Sequence, residues 1–283
     1  MGALTLLMGM SMTSCLDDES NVGVGAALTR LTTNFYGGVT FTTNDGRTVT
    51  PSSESIIKME SNNGIDLSDY NNQVVYIYYQ WNKDKINVPE DATAIEGVDL
   101  NYMELLDSPV EVVHTKGAAN DSIENTPIRS IGVKDGYTTI EPAYFDRTTL
   151  ILPIDYYLAT YEHSFTLVYY PEEDEASDSM TFYLRHNKQK DTPTTGSTQA
   201  AVAGTYGAIG VFWRAFDLSE AMTTHAMKHS LPLTSYPSQI KIKTKESDNT
   251  VNIEDSQVKE NEYTITYSSS SSSINLSTIS RRP

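Results

Sequence analysis

Residues Gln73 to Trp81 read QVVYIYYQW, a run without a charge, a glycine or a proline. Valine, isoleucine, tyrosine and tryptophan suit a pleated, half-buried backbone. Apolar side chains fall at both odd and even positions, so both faces of this strand are covered, which predicts a central strand rather than an edge. Upstream, Gly25 to Pro51 reads as a meander. Phe35-Tyr36-Gly37-Gly38 is a turn, Val39 to Thr43 alternates, and Asn44-Asp45-Gly46 is a strong hairpin signal. Downstream, Gly97 to Leu105 sets Val98, Leu100 and Tyr102 against Asp99 and Asn101, and Val110 to His114 offers a fifth strand. Five short strands within about 90 residues are what a small OB-like barrel uses.

A polar stretch, residues 116–127, reads as a linker. Strand patterns then recur at Ile128–Val133, Tyr137–Tyr144, Thr148–Tyr157, Ser164–Tyr170, Met180–His186, Ala208–Leu218, Gln239–Lys245 and Glu262–Tyr267. About eight strands with frequent turn signals predict a β-sandwich. Ser219 to Ser230 is the one stretch that reads as a helix, with a long loop as the alternative. The expected fold is therefore all-β, an OB-like domain over residues 25–115 and a sandwich over 128–267. A serine-rich tail, 268–283, has little to bury and is expected to be disordered.

The N-terminus gives an address. Ala3 to Met12 is an apolar run of about ten residues, too short to span a bilayer but suited to an export signal. Small residues precede Cys15, the sole cysteine of the 283-residue chain, and Leu16-Asp17-Asp18-Glu19 turns acidic. A thiol at that boundary resembles a bacterial lipobox, with residues 1–14 as the signal, Cys15 as the lipidated residue and 15–24 as an acidic tether. Two or more acyl chains make such an anchor stable. The expected address is the outer membrane, on the cell surface or the periplasmic face.

Composition excludes other classes. A net charge of −17 opposes nucleic-acid binding, which rests on neutralising phosphates. One cysteine permits no intramolecular disulfide. Tyrosine is abundant, at 18 against seven phenylalanines.

No catalytic constellation emerges. His225-Ala226-Met227-Lys228-His229 has the i, i+4 spacing of a zinc helix, yet Ala226 stands where a metalloprotease places its glutamate. No cysteine or third histidine is near in sequence, so the pair reads as a solvated loop and no metal is expected. Asp155, Glu162 and the run Glu172 to Glu175 could pair carboxylates for glycoside hydrolysis, but acidic residues are too frequent here for such pairs to mean much. No Gly-x-Ser-x-Gly elbow, GxGxxG turn or P-loop is present. The expectation is a non-enzyme without cofactor. Tyr76, Tyr78 and Tyr79, with Tyr156, Tyr157 and Tyr161, exceed what one sheet face can bury, and all but Tyr79 are taken as a candidate binding surface. Lys241, Lys243 and Lys245 alternate with apolar residues, which reads as charge guarding a sheet edge.

Several stretches together resemble the NigD-like lipoproteins of Bacteroidetes. They are Ser14-Cys15-Leu16-Asp17-Asp18, the meander closing on Asn44-Asp45-Gly46-Arg47-Thr48-Val49-Thr50-Pro51, His163-Ser164-Phe165-Thr166-Leu167-Val168-Tyr169, Leu184-Arg185-His186-Asn187 with Asp191 after it, and Ala215-Phe216-Asp217-Leu218. The resemblance implies an OB-like domain plus a sandwich. It also implies a cell-envelope protein that binds a protein partner, in the manner of bacteriocin immunity. Surface glycan binding is the alternative. It supplies no catalytic residues, and Arg185, His186 and Asn187 match a motif of unassigned role.

Overall fold

The computed structural model describes residues 11–12, 21–89, 91–117, 125–134, 139–158, 163–189, 191, 207–248 and 258–267. Cys15, Tyr161, Glu162 and the serine-rich tail lie outside them. Among the described residues the chain divides into two units, one ending at Asp107 and the other beginning at Ser108.

The first unit is built on strands β1 (Val22–Thr33), β2 (Val39–Thr42), β3 (Thr48–Pro51), β4 (Val74–Asn82) and β5 (Ala94–Leu105), with helix α1 (Ser53–Asn63) between β3 and β4. The strand order is β1-β2-β3-β5-β4, and β4 returns to pair with β1, so the sheet closes into a five-stranded barrel. The QVVYIYYQW stretch is β4. It is antiparallel to β1 from Val22↔Asn82 to Arg30↔Val74 and antiparallel to β5 on its other side. Val75, Ile77, Tyr79 and Trp81 point into a core shared with Leu31, Phe41, Val49, Ile95 and Val98.

Two of the inward rings exist because β1 has glycines opposite them. Gly23 faces Trp81 and Gly25 faces Tyr79 across the ladder. A Cβ on Gly23 would stand 2.2 Å from Trp81 Cε2, and one on Gly25 would stand 2.5 Å from Tyr79 Cζ. The rings fill the space that side chains at these positions would need. This corrects the expected tether over 15–24, since Val22, Gly23 and Val24 already belong to β1. Ser11 and Met12 also pair with Ala26 and Gly25 of this strand. In β5, Gly97 at φ 75° forms a bulge: Thr50 pairs with Glu96, but Pro51 pairs with Val98.

Helix α1 was not expected. Ser52 caps it by accepting from Ser55 N–H at 3.2 Å, and Gly64 at φ 63° closes it by donating to Glu60 C=O. It buries only Ser55 and Met59, and Ile57 is exposed. Ser55 Oγ accepts from Leu100 N–H at 2.7 Å, which fixes the helix to β5.

The second unit contains β6 (Val110–Val112), β7 (Thr149–Leu158), β8 (Ser164–Tyr169), β9 (Ser179–Asn187), β10 (Gly207–Asp217), α2 (Ser219–Lys228), β11 (Gln239–Glu246) and β12 (Lys259–Thr266). One sheet has the order β12-β11-β9-β8-β6. In the other, β7 pairs antiparallel with β10 and with the short segments Ala143–Tyr144 and Ser130–Ile131. Leu150, Leu152, Ile154 and Tyr156 from β7 meet Phe165, Leu167, Tyr169, Phe182, Leu184, Ile240 and Ile242 of the first sheet in one core, as in a sandwich. The expected all-β class, a barrel followed by a second β unit, is the fold found.

Two expectations are corrected here. Val110–Val112 pairs in parallel with Leu167–Tyr169, so it belongs to the second unit and not to the barrel domain expected over 25–115. The lysine strand β11 is internal, between β9 and β12. Lys243 and Lys245 stand opposite Glu262 and Glu260 of β12 in the ladder, and Lys243 Nζ lies 5.4 Å from the centroid of the Tyr183 ring, so the lysines line an internal strand and guard no edge.

Candidate functional site

Helix α2 carries His225 and caps its C-terminus with His229. The expected solvated loop at this pair is therefore overturned: His225 is completely buried. One helical turn brings the two rings together, tilted by 51° with centroids 4.7 Å apart. The loop after β8 brings in Asp174, 51 residues away in sequence. His225 Nδ1 lies 2.5 Å from Asp174 Oδ2, and His225 Nε2 contacts Ser177 C=O at 3.2 Å. His229 Nε2 stands 3.5 Å from the same carboxylate oxygen and is buried without a hydrogen-bond partner. Tyr169 Oη also donates to Asp174 Oδ2, and Lys228 Nζ donates to the carbonyls of Pro171 and Asp174. Burial raises the Asp174 pKa, but the hydrogen bonds from His225 and Tyr169 outweigh it and the net shift is downward. Burial, then the Asp174 contact, pushes the Tyr169 phenol up.

A second histidine pair is sealed inside the same unit. His163 Nε2 lies 2.9 Å from Asp191 Oδ2, His163 Nδ1 lies 2.7 Å from His186 Nε2, and His186 Nδ1 lies 3.0 Å from Thr126 C=O. Acceptors stand at both ends, so three hydrogen bonds need three protons, one more than two neutral imidazoles carry. Burial, with His163 charge as the second cause, pushes His186 down to about 3. Phe165 stacks on His186 at 4.7 Å. With every member buried, this chain braces β8 and β9 and offers nothing to a ligand.

The motif residues divide accordingly. His186 belongs to the brace. Arg185 points outward and donates to Tyr170 Oη at 2.9 Å, and Asn187 Oδ1 accepts from Gln189 N–H at 2.6 Å.

The tyrosine surface is largely corrected. Tyr156 is fully buried against His163, Phe165, His186 and Phe212, and Tyr157 is 4% exposed under the Arg129 guanidinium. Both faces of β7 are covered, so its aromatic residues are interior. Tyr76 and Tyr78 are half-buried on the outer face of β4, and Tyr76 meets the exposed Tyr102 edge-on at 6.3 Å. The most exposed aromatics among the described residues lie in the turn that the sequence marks at Phe35-Tyr36-Gly37-Gly38. Phe35 and Tyr36, at the β1–β2 hairpin tip, are 97% and 93% exposed. Asn34 Oδ1 accepts from the N–H groups of Tyr36 and Gly38, both at 2.9 Å, so the tip is fixed.

Among the described residues, the acidic candidates are engaged by separate partners. Glu173 is engaged by Lys116 and Tyr183. Asp155 is held by Arg129 Nη1 at 2.7 Å, with its Oδ1 buried and unbonded. Burial raises Asp155 to about 6 from 3.8, against the pull of Arg129. A raised folded pKa means the folded state holds the proton between those values while the unfolded state releases it. Asp155 therefore destabilises progressively as pH rises from about 4 to 6. Asp155→Asn should gain about 2 kcal/mol relative to wild type between pH 4 and pH 7. Urea denaturation at both pH values checks this, and an equal difference at both would contradict it.

No known family model and no curated protein sequence matches the chain. Solved structures do. A lipoprotein candidate from Bacteroides fragilis is similar with a TM-score of 0.62 and 20% identity, covering 87% of this chain and 98% of that one. The similar structures include a NigD-like immunity protein from Bacteroides caccae, with a TM-score of 0.47 and 13% identity, covering 85% and 96%. The first likeness shows a shared fold along nearly the whole of both chains.

Proposed function

We infer that this is a non-enzymatic lipoprotein of the cell envelope, anchored through Cys15 in the outer membrane, which binds a protein partner through the Phe35–Tyr36 hairpin tip. The observation that carries the reading is the near-complete exposure of two adjacent aromatic rings on a turn whose backbone is already fixed. Such rings cost water contact until a partner covers them, and a fixed tip loses little entropy on binding. The likeness to a lipoprotein candidate supports the envelope address. A bacteriocin-immunity role is the specific form that the sequence resemblance suggests. Glycan binding is less well supported, because Trp81 and Trp213, the expected stacking platforms, are 7% and 5% exposed.

The test is a photo-crosslinker at position 35, expressed in cells beside a Cys15→Ala version. The anchored protein should fractionate with membranes and crosslink to one discrete envelope protein. The Cys15→Ala version should be released. Lipid-only or scattered products would overturn the binding site, and unchanged fractionation would overturn the anchor. With the partner in hand, Phe35→Ala with Tyr36→Ala should weaken binding at least roughly 10- to 100-fold and leave folding intact.

A further inference from the structure

We propose that Asp174, His225 and His229 form a binding site for a divalent transition-metal ion of the zinc class, which clamps the loop after β8 onto helix α2. Three observations point there. The donor atoms of the three side chains all lie within 4.8 Å of one another. Ligands at zinc bond lengths in a tetrahedral site stand about 3.3 Å apart, and the His229 Nε2–Asp174 Oδ2 separation of 3.5 Å is close to that. The 2.5 Å contact between His225 Nδ1 and Asp174 would open on metal binding. Two imidazoles and a carboxylate are a set that zinc-class ions favour over calcium or magnesium, which take oxygen ligands.

Second, the ligands are oriented from behind. His225 Nε2 is engaged by the Ser177 carbonyl, so Nδ1 is the nitrogen turned to the cluster. The Tyr169 hydroxyl holds the carboxylate, and Lys228 holds the loop backbone through the carbonyls of Pro171 and Asp174. Metal-binding histidines and carboxylates have such outer partners as a rule. Third, His229 Nε2 is buried and has no hydrogen-bond partner. Its contact with Asp174 Oδ2 at 3.5 Å is too long to serve as one, a buried polar atom without a hydrogen bond costs stability, and an ion at the centre of the three groups would satisfy it. Three protein ligands leave a fourth position for water.

The i, i+4 histidine spacing is legible in the sequence, but the third ligand, Asp174, is 51 residues away from His225. The metal expected to be absent there is thus the ion now proposed. This site does not depend on the hairpin tip or on Cys15, so its fate is separate from that of the proposed partner binding.

The experiment uses the tag-free full chain carrying Cys15→Ser, which removes the sole thiol as a competing ligand. Zn²⁺ titrated by calorimetry at neutral pH should bind with one equivalent per chain and raise the melting temperature. Co²⁺ should give the visible d–d bands of a low-symmetry, nitrogen-containing site. His229→Gln, altering the least buried ligand, should weaken binding at least about tenfold and abolish the Co²⁺ spectrum. No stoichiometric binding, no Co²⁺ bands, or undiminished binding in a folded His229→Gln would each overturn the site. The Co²⁺ spectrum is read on the chain with all three ligands, so it decides the matter even if the variant does not fold.

Discussion

Asp191→Ala is expected to destabilise the second unit by about 3–5 kcal/mol, lowering its melting temperature by roughly 10–15 °C. Asp191 and the His163 side chain have no solvent exposure, and their 2.9 Å contact ends a hydrogen-bonded chain that runs through His186 to Thr126 C=O. The chain holds one proton more than two neutral rings supply. Removing the carboxylate leaves that charge buried without a counterion, or forces the proton out and leaves His163 Nε2 facing a cavity. Both outcomes are expensive, because a buried polar group without its partner loses its hydration and receives nothing in return. Asp191→Asn keeps the shape and an acceptor oxygen but not the charge, so its cost should be smaller. Denaturant unfolding of the three proteins measures the order. Equal stability of wild type and Asp191→Ala would show that the chain does not brace the sheet.

In the barrel, Tyr79→Ala should cost about 3–5 kcal/mol, the range for removing a fully buried aromatic side chain. The ring is 0% exposed, stacks beside Trp81 at 6.0 Å and lies over Gly25. Its hydroxyl is buried without a partner, and burial pushes its pKa up to about 12. Tyr79→Phe should therefore be neutral or stabilising, which separates the ring from the hydroxyl. Gly25→Ala should itself cost about 1–3 kcal/mol, because its Cβ collides with the ring. Combined with Tyr79→Ala, it should cost much less, since the colliding ring is gone. Additive losses in that double-mutant cycle would contradict the close approach.

How far the sequence could be read depends on how local each signal was. Asn44-Asp45-Gly46 marks its turn by itself, and the two-sided apolar run of β4 predicts a strand paired on both edges. Both are features of a few neighbouring residues. Helix α1 failed on periodicity, since it buries little. Its real signals are the caps, Ser52 and Gly64, which flank the helix and take no part in its face pattern. Val110–Val112 looks like a strand, but three residues carry no information about which sheet they join. Tyr156 is interior because β7 is covered on both faces, something the residue type does not encode. Asp174 and His225 meet across 51 positions, and Asp191 reaches His163 from 28 residues away. Clusters of this kind become visible only once β8, β9 and α2 are in place. The exposure of Phe35 and Tyr36 was hidden for the opposite reason: turn residues are read for their backbone, and their side chains are overlooked.

The chain has two tryptophans, and the fold gives one to each unit. Trp81 sits in the barrel core and Trp213 in β10, both almost fully shielded from water. Each indole is therefore an intrinsic fluorescence reporter for its own half of the molecule, silent about the other. With Trp81→Phe, emission follows only the unit beginning at Ser108, and with Trp213→Phe, only the barrel. The damage from Asp191→Ala and from Tyr79→Ala can thus be localised optically in the intact protein, without dissecting it into fragments or attaching a dye.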